Sequence, residues 1–406
     1  MSTVVVIGTL DTKGYELKYV KDIIEESGLD TLVVDTGVLG QPAFDADVSR
    51  DEVAAAAGCD LGDLVRKQDR GESVEAMTAG AAAVAAKLYA EGRLQGIISL
   101  GGSAGTTIGT AAMRALPVGV PKVMVSTMAS GDTRPYVDTK DICMMYSVVD
   151  ISGLNSLSGI ILANAARAVA GMAAKTGETT RAKDKPLIGV TMFGVTTPCV
   201  TKAREYLENK GYEVLVFHAT GTGGRAMEGL VDDGFIDGVL DITTTEWCDQ
   251  LVGGVLAAGP NRLEAAGRKG IPQVVSLGAL DMVNFGPMDT VPEKFRNRRL
   301  YKHNPTVTLM RTEPDECTEL GRIIAEKLNA AKGPVKLVMP LKGVSAIDRE
   351  GQPFWHPEAD AALFKAVREN IGPNVELVEM DTDINDPECA LAMAQFLHEL
   401  MQAKNK

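Results

Sequence analysis

The chain opens on Val4, Val5, Val6 and Ile7, an apolar run through Thr9 closed by Gly8 and a polar loop. A strand buried on both faces of a parallel sheet reads this way, whereas a half-solvated strand alternates. Leu17, Val20 and Ile24 then recur at helical spacing and Gly28 ends the pattern, predicting an amphipathic helix with a glycine stop. Thr31 to Val34 is a second apolar run ending at Asp35, so residues 1–35 predict one strand–helix–strand unit. An acidic, alanine-rich helical stretch comes next, from about Asp51 to Ala90. A strand over Gly96 to Leu100 runs into the loop Gly101 to Thr107 and a helix, and Lys122 to Thr127 is a strand that empties into Ser130 to Pro135. A further helix is expected over Leu154 to Met172. Strand, glycine loop and helix, repeated over short connections, predict an α/β doubly wound architecture.

Lys175 to Pro186 holds hardly an apolar residue and reads as a linker. The chain beyond it repeats the chain before it. Leu187 to Met192 mirrors the first strand, Gly211 to Gly221 aligns with Gly28 to Gly37, Asp237 to Ile242 with Gln95 to Leu100, and Ile271 to Leu277 with Val120 to Thr127. Four matches in one order predict a duplication: two Rossmann-like three-layer subdomains with mostly parallel sheets, over residues 1–180 and 181–406. The second copy adds strands near Val307 to Met310, Lys336 to Met339 and Glu376 to Met380. Thr312 with Asp315 reads as the capping box of a helix from Glu313 that stops at Gly333-Pro334, and Asn385-Asp386-Pro387 opens a final helix.

Composition adds constraints. Aromatic residues make up 5% of the chain against 42 glycines, which suits closely layered backbones and glycine loops that approach a ligand. A formal charge of −13 argues against a sequence-independent grip on nucleic acid, which needs a cation excess. It leaves room for one phosphorylated small molecule held by backbone amides. The apolar run Ile160 to Ala174 is broken by Asn164 and Arg167, so no membrane span is expected. Without a basic leader the amino terminus reads as that of a cytoplasmic protein lacking a signal peptide. The six cysteines form no C-x-x-C pair and the four histidines no H-x-x-x-H, so reduced thiols and no zinc site are expected.

In a doubly wound sheet, ligands sit outside the carboxyl ends of the strands. The loop Gly8 to Gly14 offers Thr9, Asp11, Lys13 and Gly14, a set suited to phosphate with or without Mg²⁺, although it departs from G-x-G-x-x-G. Asp35 stands where the ribose-binding acid of dinucleotide folds lies, and equally where a strand-end carboxylate starts a turn. The strongest signal is Gly101, Gly102, Ser103, Gly105, Thr106 and Thr107 between a buried strand and a helix, an anion cradle without a Walker lysine. The same residues spell G-x-S-x-G, but a serine hydrolase through Ser103 would need something like Asp241 or Asp281 with His303 from the other half. In the third loop Gly131, Asp132 and Arg134 reach a strand end, where Asp132 serves a metal or pairs with Arg134. In the second half the glycine loop Thr220 to Arg225 faces His218, Thr244, Thr245, Glu246, Asp281 and Asn284, and a cleft between the halves is the default ligand site.

V-I-G-T-x-D-T-K-G at the start, G-G-S-x-G-T, S-G-D-T-R-P-Y-V at Ser130 to Val137 and I-N-D-P at Ile384 to Pro387 resemble the ATP-binding domain family named after a plant tobamovirus-resistance protein. Its bacterial members form an uncharacterised protein family. The resemblance spans nearly the whole chain. It implies two Rossmann-like subdomains, a homodimer, and ATP on the amino-terminal one, at Thr9, Asp11, Lys13, Gly14, Gly101 to Thr107, Gly131 and Asp132. The expected function is therefore Mg²⁺-dependent ATP binding, with Lys13 and the amides of Gly101 to Thr107 on the phosphates and Asp11 or Asp132 on the metal. The alternative is an ATP-dependent or phosphate-recognising enzyme on a small sugar or organic acid, with Glu246 or His218 as acid or base.

Overall fold

The computed structural model describes residues 2–174 and 185–404. All of the expected linker but Lys185 and Pro186 lies outside the described residues. Chain contacts divide the protein into two units, Met1–Arg181 and Ala182–Lys406.

The first unit runs β1 (Thr3–Gly8), α1 (Leu10–Glu26), β2 (Asp30–Asp35), α2 (Arg50–Ala56), α3 (Leu61–Lys67) and α4 (Arg70–Ala90). It continues through β3 (Gly96–Gly101), α5 (Ser103–Arg114), β4 (Lys122–Ser126), α6 (Arg134–Val137), β5 (Cys143–Tyr146) and α7 (Ser156–Ala174). The sheet is parallel throughout, in the order β2-β1-β3-β4-β5. Because a strand alternates its side chains, Val4 and Val6 pack with α1 and α7 on one face while Val5 and Ile7 pack with α2, α4 and α5 on the other. Burial on both faces is why Val4 to Ile7 run without a polar position; each such valine or isoleucine contributes about 1.5–3 kcal/mol by leaving water. By length and composition alone α7 is apolar enough to cross a membrane, but Leu162, Ala166, Val169 and Ala173 are buried in this core.

The expected helix over Asp51 to Ala90 is three helices. Asp60 and Asp69 each turn a side-chain oxygen onto the backbone three residues ahead, capping α3 and α4, and Gly58 and Gln68 end the preceding segments with positive φ. Local side-chain caps outcompete a continuous ladder there. Helices α2 and α4 then meet backbone to backbone: a Cβ on Gly80 would stand 2.0 Å from the Val53 carbonyl oxygen.

The second unit runs β6 (Leu187–Met192), α8 (Thr197–Asn209), β7 (Glu213–His218), α9 (Thr222–Asp232), β8 (Gly238–Thr243), α10 (Glu246–Val252), α11 (Ala265–Lys269) and β9 (Gln273–Gly278). Then come β10 (Met282–Phe285), β11 (Leu300–Asn304), β12 (Val307–Arg311), α12 (Pro314–Asn329), β13 (Val335–Pro340), α13 (Pro357–Asn370), β14 (Val375–Met380) and α14 (Pro387–Lys404). Its parallel sheet has the order β14-β13-β9-β8-β6-β7. The segment β7-β6-β8-β9 reproduces β2-β1-β3-β4, so the four matched sequence stretches occupy equivalent strands. The expected strand near Val307 to Met310 is β12, in a separate antiparallel sheet of order β10-β12-β11, where Asn304 Oδ1 accepts the Thr306 N–H (2.8 Å) in the turn that folds β11 back onto β12. One expectation is corrected. The capping box of α12 is formed by Glu313 and Glu316, since Thr312 is buried and donates to the Leu280 carbonyl (2.9 Å).

This unit encloses several carboxylates. Asp249 is one: its oxygens accept from the backbone of Leu256 (3.1 Å) and Asn284 (3.1 Å) and from Asn284 Nδ2 (2.7 Å). Burial pushes its carboxyl up to about 7. Between the ordinary aspartate value of 3.8 and about 7 the folded chain holds a proton that the unfolded chain has released, so the stability tied to this group is largest in acid and is lost as pH rises through 7. Asn284 Oδ1 has no partner, so an amide at position 249 has an acceptor to meet. Asp249→Asn is expected to gain on the wild type by up to about 1.4 kcal/mol per pH unit from pH 5 to 7, read from urea unfolding at each pH. A difference that stays flat with pH contradicts this.

Candidate functional site

Strand β1 feeds α1 on one face of the first sheet, and β3 feeds α5 on the other, so the strand order reverses between them and leaves a crevice at their carboxyl ends. A cavity of about 560 Å³ fills this place. Thr9, Asp11, Thr12 and Lys13 line it from the start of α1, and Gly101 to Gly105 from the start of α5. Its far wall is apolar, with Val38 and Leu39 from the loop after β2, Leu64, Val65, Val74 and Met77 from α3 and α4, and Ile108 from α5. Sequence reading finds the two polar loops and misses this wall. Nothing in the alanine-rich pattern marks Val65, nor in the loop after β2 Leu39, as an apolar side chain left open beside a polar edge.

The glycines of the second loop have different causes. A Cβ on Gly101 would stand 2.9 Å from Gly105 Cα, so that glycine lets the chain turn tightly from β3 into α5. A Cβ on Gly102 would meet nothing closer than Thr127 Oγ1 at 3.8 Å, and its φ is −81°. Packing does not demand a glycine there; its bare backbone leaves room in the cavity. Gly102 is also the N-cap of α5 and supplies no side-chain cap. The helical ladder starts only with the Thr106 N–H on the Gly102 carbonyl (2.8 Å), so the first amides of α5 precede it and face the positive end of the helix dipole.

Two cations line the cavity, Lys13 and Arg70, and neither joins an ion pair among the described residues. Its three carboxylates are each engaged by main-chain N–H groups: Asp11 Oδ2 by Leu39 (2.7 Å) and Gly40 (3.1 Å), Asp69 by Glu72 and Asp150 by Ile151. Two buried polar atoms on the cavity wall have no partner, Asp11 Oδ1 and Thr36 Oγ1. Buried polar atoms are nearly always satisfied, so these mark a place where a bound group or water completes the set.

The remaining candidates lie elsewhere. Gly14 packs on Ala43, Thr106 bonds Ser126 (2.6 Å), and Thr107 donates to the Ser103 carbonyl (3.0 Å). Gly131 sits in a turn onto Met128, and Asp132 pairs with Arg134 (2.7 Å) on the surface, which holds its carboxyl down at about 2. Asp35 is a structural carboxylate: it accepts from Leu10 N–H (3.0 Å) and Gly37 N–H (2.8 Å), capping α1 in place of Thr9. Ser103 lines the cavity, but all four histidines belong to the second unit.

In that second unit the glycine loop between β7 and α9 is already filled. Glu246 is buried, and its Oε1 accepts from Gly221 N–H (2.7 Å) and Gly224 N–H (3.1 Å) at the start of α9. Its Oε2 accepts from Arg262 Nε (2.7 Å), and Arg262 Nη2 reaches Asp241 (2.7 Å). A Cβ on Gly224 would strike Glu246 Oε2 at 2.0 Å, so the glycine makes room for the protein's own carboxylate. Thr244, Thr245, Asp281 and Asn284 are likewise buried, and the expectation that this set faces a ligand is corrected: their partners are internal. His218 alone is exposed, against Phe193 (centroids 5.4 Å apart).

Comparison with known proteins places this geometry in a family. Residues 2–178 match the Uncharacterised protein family (UPF0261) N-terminal domain, and residues 185–401 match its C-terminal domain. The chain belongs to UPF0261. A UPF0261 protein of Clostridium tetani is 60% identical over 98% of this chain and 99% of its own length. The ToMV resistance protein Tm-1(GCR237) of Solanum lycopersicum is 41% identical over 97% of this chain, which spans 55% of the tomato protein. Among solved structures, a putative UDP-N-acetylglucosamine 2-epimerase from Listeria monocytogenes covers 97% of this UPF0261 chain at 11% identity, and its TM-score of 0.24 carries no argument.

Truncating Glu246 leaves a buried guanidinium short of one partner and two amides of the α9 turn without an acceptor. Glu246→Ala is expected to destabilise the UPF0261 chain by about 3–5 kcal/mol in urea unfolding. A loss under about 1 kcal/mol would return Glu246 to the pool of free functional groups.

Proposed function

We propose that the first unit binds a nucleotide, ATP with Mg²⁺, in the cavity between β1 and β3. The observation that carries this reading is the meeting of an uncapped α5 amino terminus with an ammonium, Lys13, that has no ion pair among the described residues. Phosphate satisfies both, by accepting main-chain N–H groups and by charge. The volume suits a mononucleotide within the range of about 300–1,000 Å³ usual for small-molecule sites, and the apolar wall suits a base. Arg70, at the start of α4, lines the same cavity and adds a second cation for a phosphate oxygen.

The residues fit the metal in a limited way. No group of three or more His, Cys, Asp or Glu side chains able to hold a metal occurs among the described residues, so the protein offers no cage. Mg²⁺ needs none, since it is commonly bound by one or two carboxylates together with substrate phosphates and water. Asp11 Oδ1, buried on the cavity wall without a partner, is the one oxygen we assign to it. Asp132, held by Arg134 outside the cavity lining, is not assigned. Similarity to the tomato proteins supports the reading only as kinship, because their names speak of ToMV and not of a ligand. We place the protein in the cytoplasm, acting on a small molecule and not on nucleic acid or membrane.

Self-association belongs to the same proposal. Strand β5 is an open edge of the first sheet, Tyr146 on it and Val148 just after it are exposed, and α7 exposes Leu157 and Ile160. A second copy covering these apolar side chains makes a homodimer, and Ile160→Asp is expected to shift the mass seen by light scattering from dimer to monomer. A monomeric wild type at micromolar concentration ends this part of the reading.

For the nucleotide, isothermal titration of Mg-ATP is the direct test. Lys13→Ala is expected to weaken binding about tenfold or more, the scale of one charge-assisted contact of about 1.5–3 kcal/mol. Gly102→Val is expected to abolish it while leaving the melting temperature unchanged. No heat for the wild type, or Lys13→Ala binding as tightly as wild type, defeats the proposal.

A further inference from the structure

The second unit has a cavity of its own, about 790 Å³, at the carboxyl end of β13. Its walls come from the loop after β13 and from the first two turns of α13. Leu341, Pro357 and Phe364 are apolar, and the indole of Trp355 lies on the rim with 43% of the residue exposed. An exposed tryptophan costs water contact, so it draws attention when its backbone is held. Here it is held from below. Arg311 Nε donates to the Phe354 carbonyl (2.7 Å), Phe354 itself is fully buried, and Arg299 Nη1 donates to the Trp355 carbonyl (3.0 Å). The main chain that carries the indole is thus anchored beside the cavity.

The charge beneath it is unbalanced. One guanidinium, Arg311, serves three buried carboxylates: it bonds Asp348 (3.1 Å) and Asp360 (2.5 Å), while Asp281 stands behind them, bonded to Ser345 (2.8 Å). Asp281 Oδ1 has no partner at all. Of the three, Asp360 alone lines the cavity, and burial and then its neighbour Asp348 push its carboxyl up to about 7. On the open side the cations are spoken for. Lys342 pairs with Asp381 (2.8 Å) and Arg349 approaches Asp383 (3.8 Å), while Glu350 adds a further negative charge. The groups around Asp360 are thus Asp348 and Asp281 from the loop and sheet edge, Arg311 from β12 with Cys317 beside it, His356 at the start of α13 facing Glu313, and Lys342, Arg349, Glu350 and Asp383 across the cavity.

We propose that this cavity binds a small organic cation, an ammonium group carried on an apolar or aromatic body, with the ammonium between Asp360 and the Trp355 face and the body against Leu341, Pro357 and Phe364. Three features select a cation over an anion. The carboxylates lining the cavity outnumber its cations, Asp360 shares its one guanidinium with Asp348, and an aromatic face attracts positive charge. The site is separate in residues and in chemistry from the nucleotide cavity, and it does not rest on that reading.

Benzylamine is the probe, with benzyl alcohol and benzoate as neutral and anionic matches of the same size. Titration calorimetry near pH 8 is expected to show saturable benzylamine binding with a dissociation constant of about 1 mM, some −4 kcal/mol, and at least tenfold weaker binding of the other two. Bound cation displaces the Asp360 proton, so affinity should rise between pH 6 and pH 8 and a proton should be released, measurable in two buffers of different ionisation heat. Trp355→Leu, a surface change, should weaken benzylamine several-fold with an unchanged melting temperature. Asp360→Asn should remove the proton release; His356→Gln should leave it, since His356 faces Glu313. Benzoate or benzyl alcohol binding as well as benzylamine overturns the proposal. So does no saturation by about 50 mM, or a Trp355→Leu protein that binds like wild type.

Discussion

Every helix that comes after a strand in a parallel sheet aims its first amides at the sheet's carboxyl edge, and those amides demand an acceptor. The chain answers this demand in three ways. At α1 a neighbouring strand end supplies Asp35, which takes the Leu10 amide. At α9 the chain sends in Glu246, which takes two amides and brings Arg262 and Asp241 with it. At α5 no side chain arrives, because the N-cap is Gly102. The molecule thus contains a closed and an open version of one local geometry, and the open one coincides with a cavity and with a lysine that has no ion pair among the described residues.

The closed version shapes the rest of the second unit. Once Glu246 occupies the turn, its charge requires Arg262, and Arg262 in turn draws Asp241 and Glu228 inward. Arg311 organises Asp348 and Asp360 in the same manner. Each arrangement buries more carboxylate than guanidinium. Such groups resist the loss of any one partner, since an unpaired buried charge costs several kcal/mol. Within these arrangements burial, and after it the neighbouring carboxylates, push the carboxyls of Glu228 and Asp360 up.

Most of the architecture was legible in the order of apolar runs and glycines. Strands such as Val4 to Ile7 and Leu187 to Met192 have a composition that only double-sided burial explains, and the repeated stretches do fall on equivalent strands. Of the antiparallel β11-β12 pair only β12 reads as a strand, because β11, Leu300 to Asn304, is mostly polar and exposed, and the turn between them rests on a single asparagine, Asn304. In the candidate site the polar half was legible and the apolar half was not. Gly101, Gly102 and Lys13 announce themselves by type, whereas Leu64, Val74 and Met77 carry the same letters as any core residue. The reverse error occurred at Glu246 and Asp281, whose residue types suggest reactivity and whose burial makes them scaffold. A carboxylate near a glycine turn has one sequence signature whether it awaits a ligand or replaces one.

Gly80 has a consequence for how ligand preference can change over time. Because α2 and α4 touch through main chain at Val53 and Gly80, the spacing of those two helices is set by peptide groups, which no substitution alters. Neither helix can slide inward to fill a vacancy or retreat to admit bulk without losing that seat. Divergence in what the α4 wall accepts must then proceed through the tips of Val74 and Met77, one side chain at a time, on a frame that stays constant. Relatives that keep a glycine at this crossing should differ in selectivity by small steps of shape, and those that lose it should show a wall rebuilt as a whole.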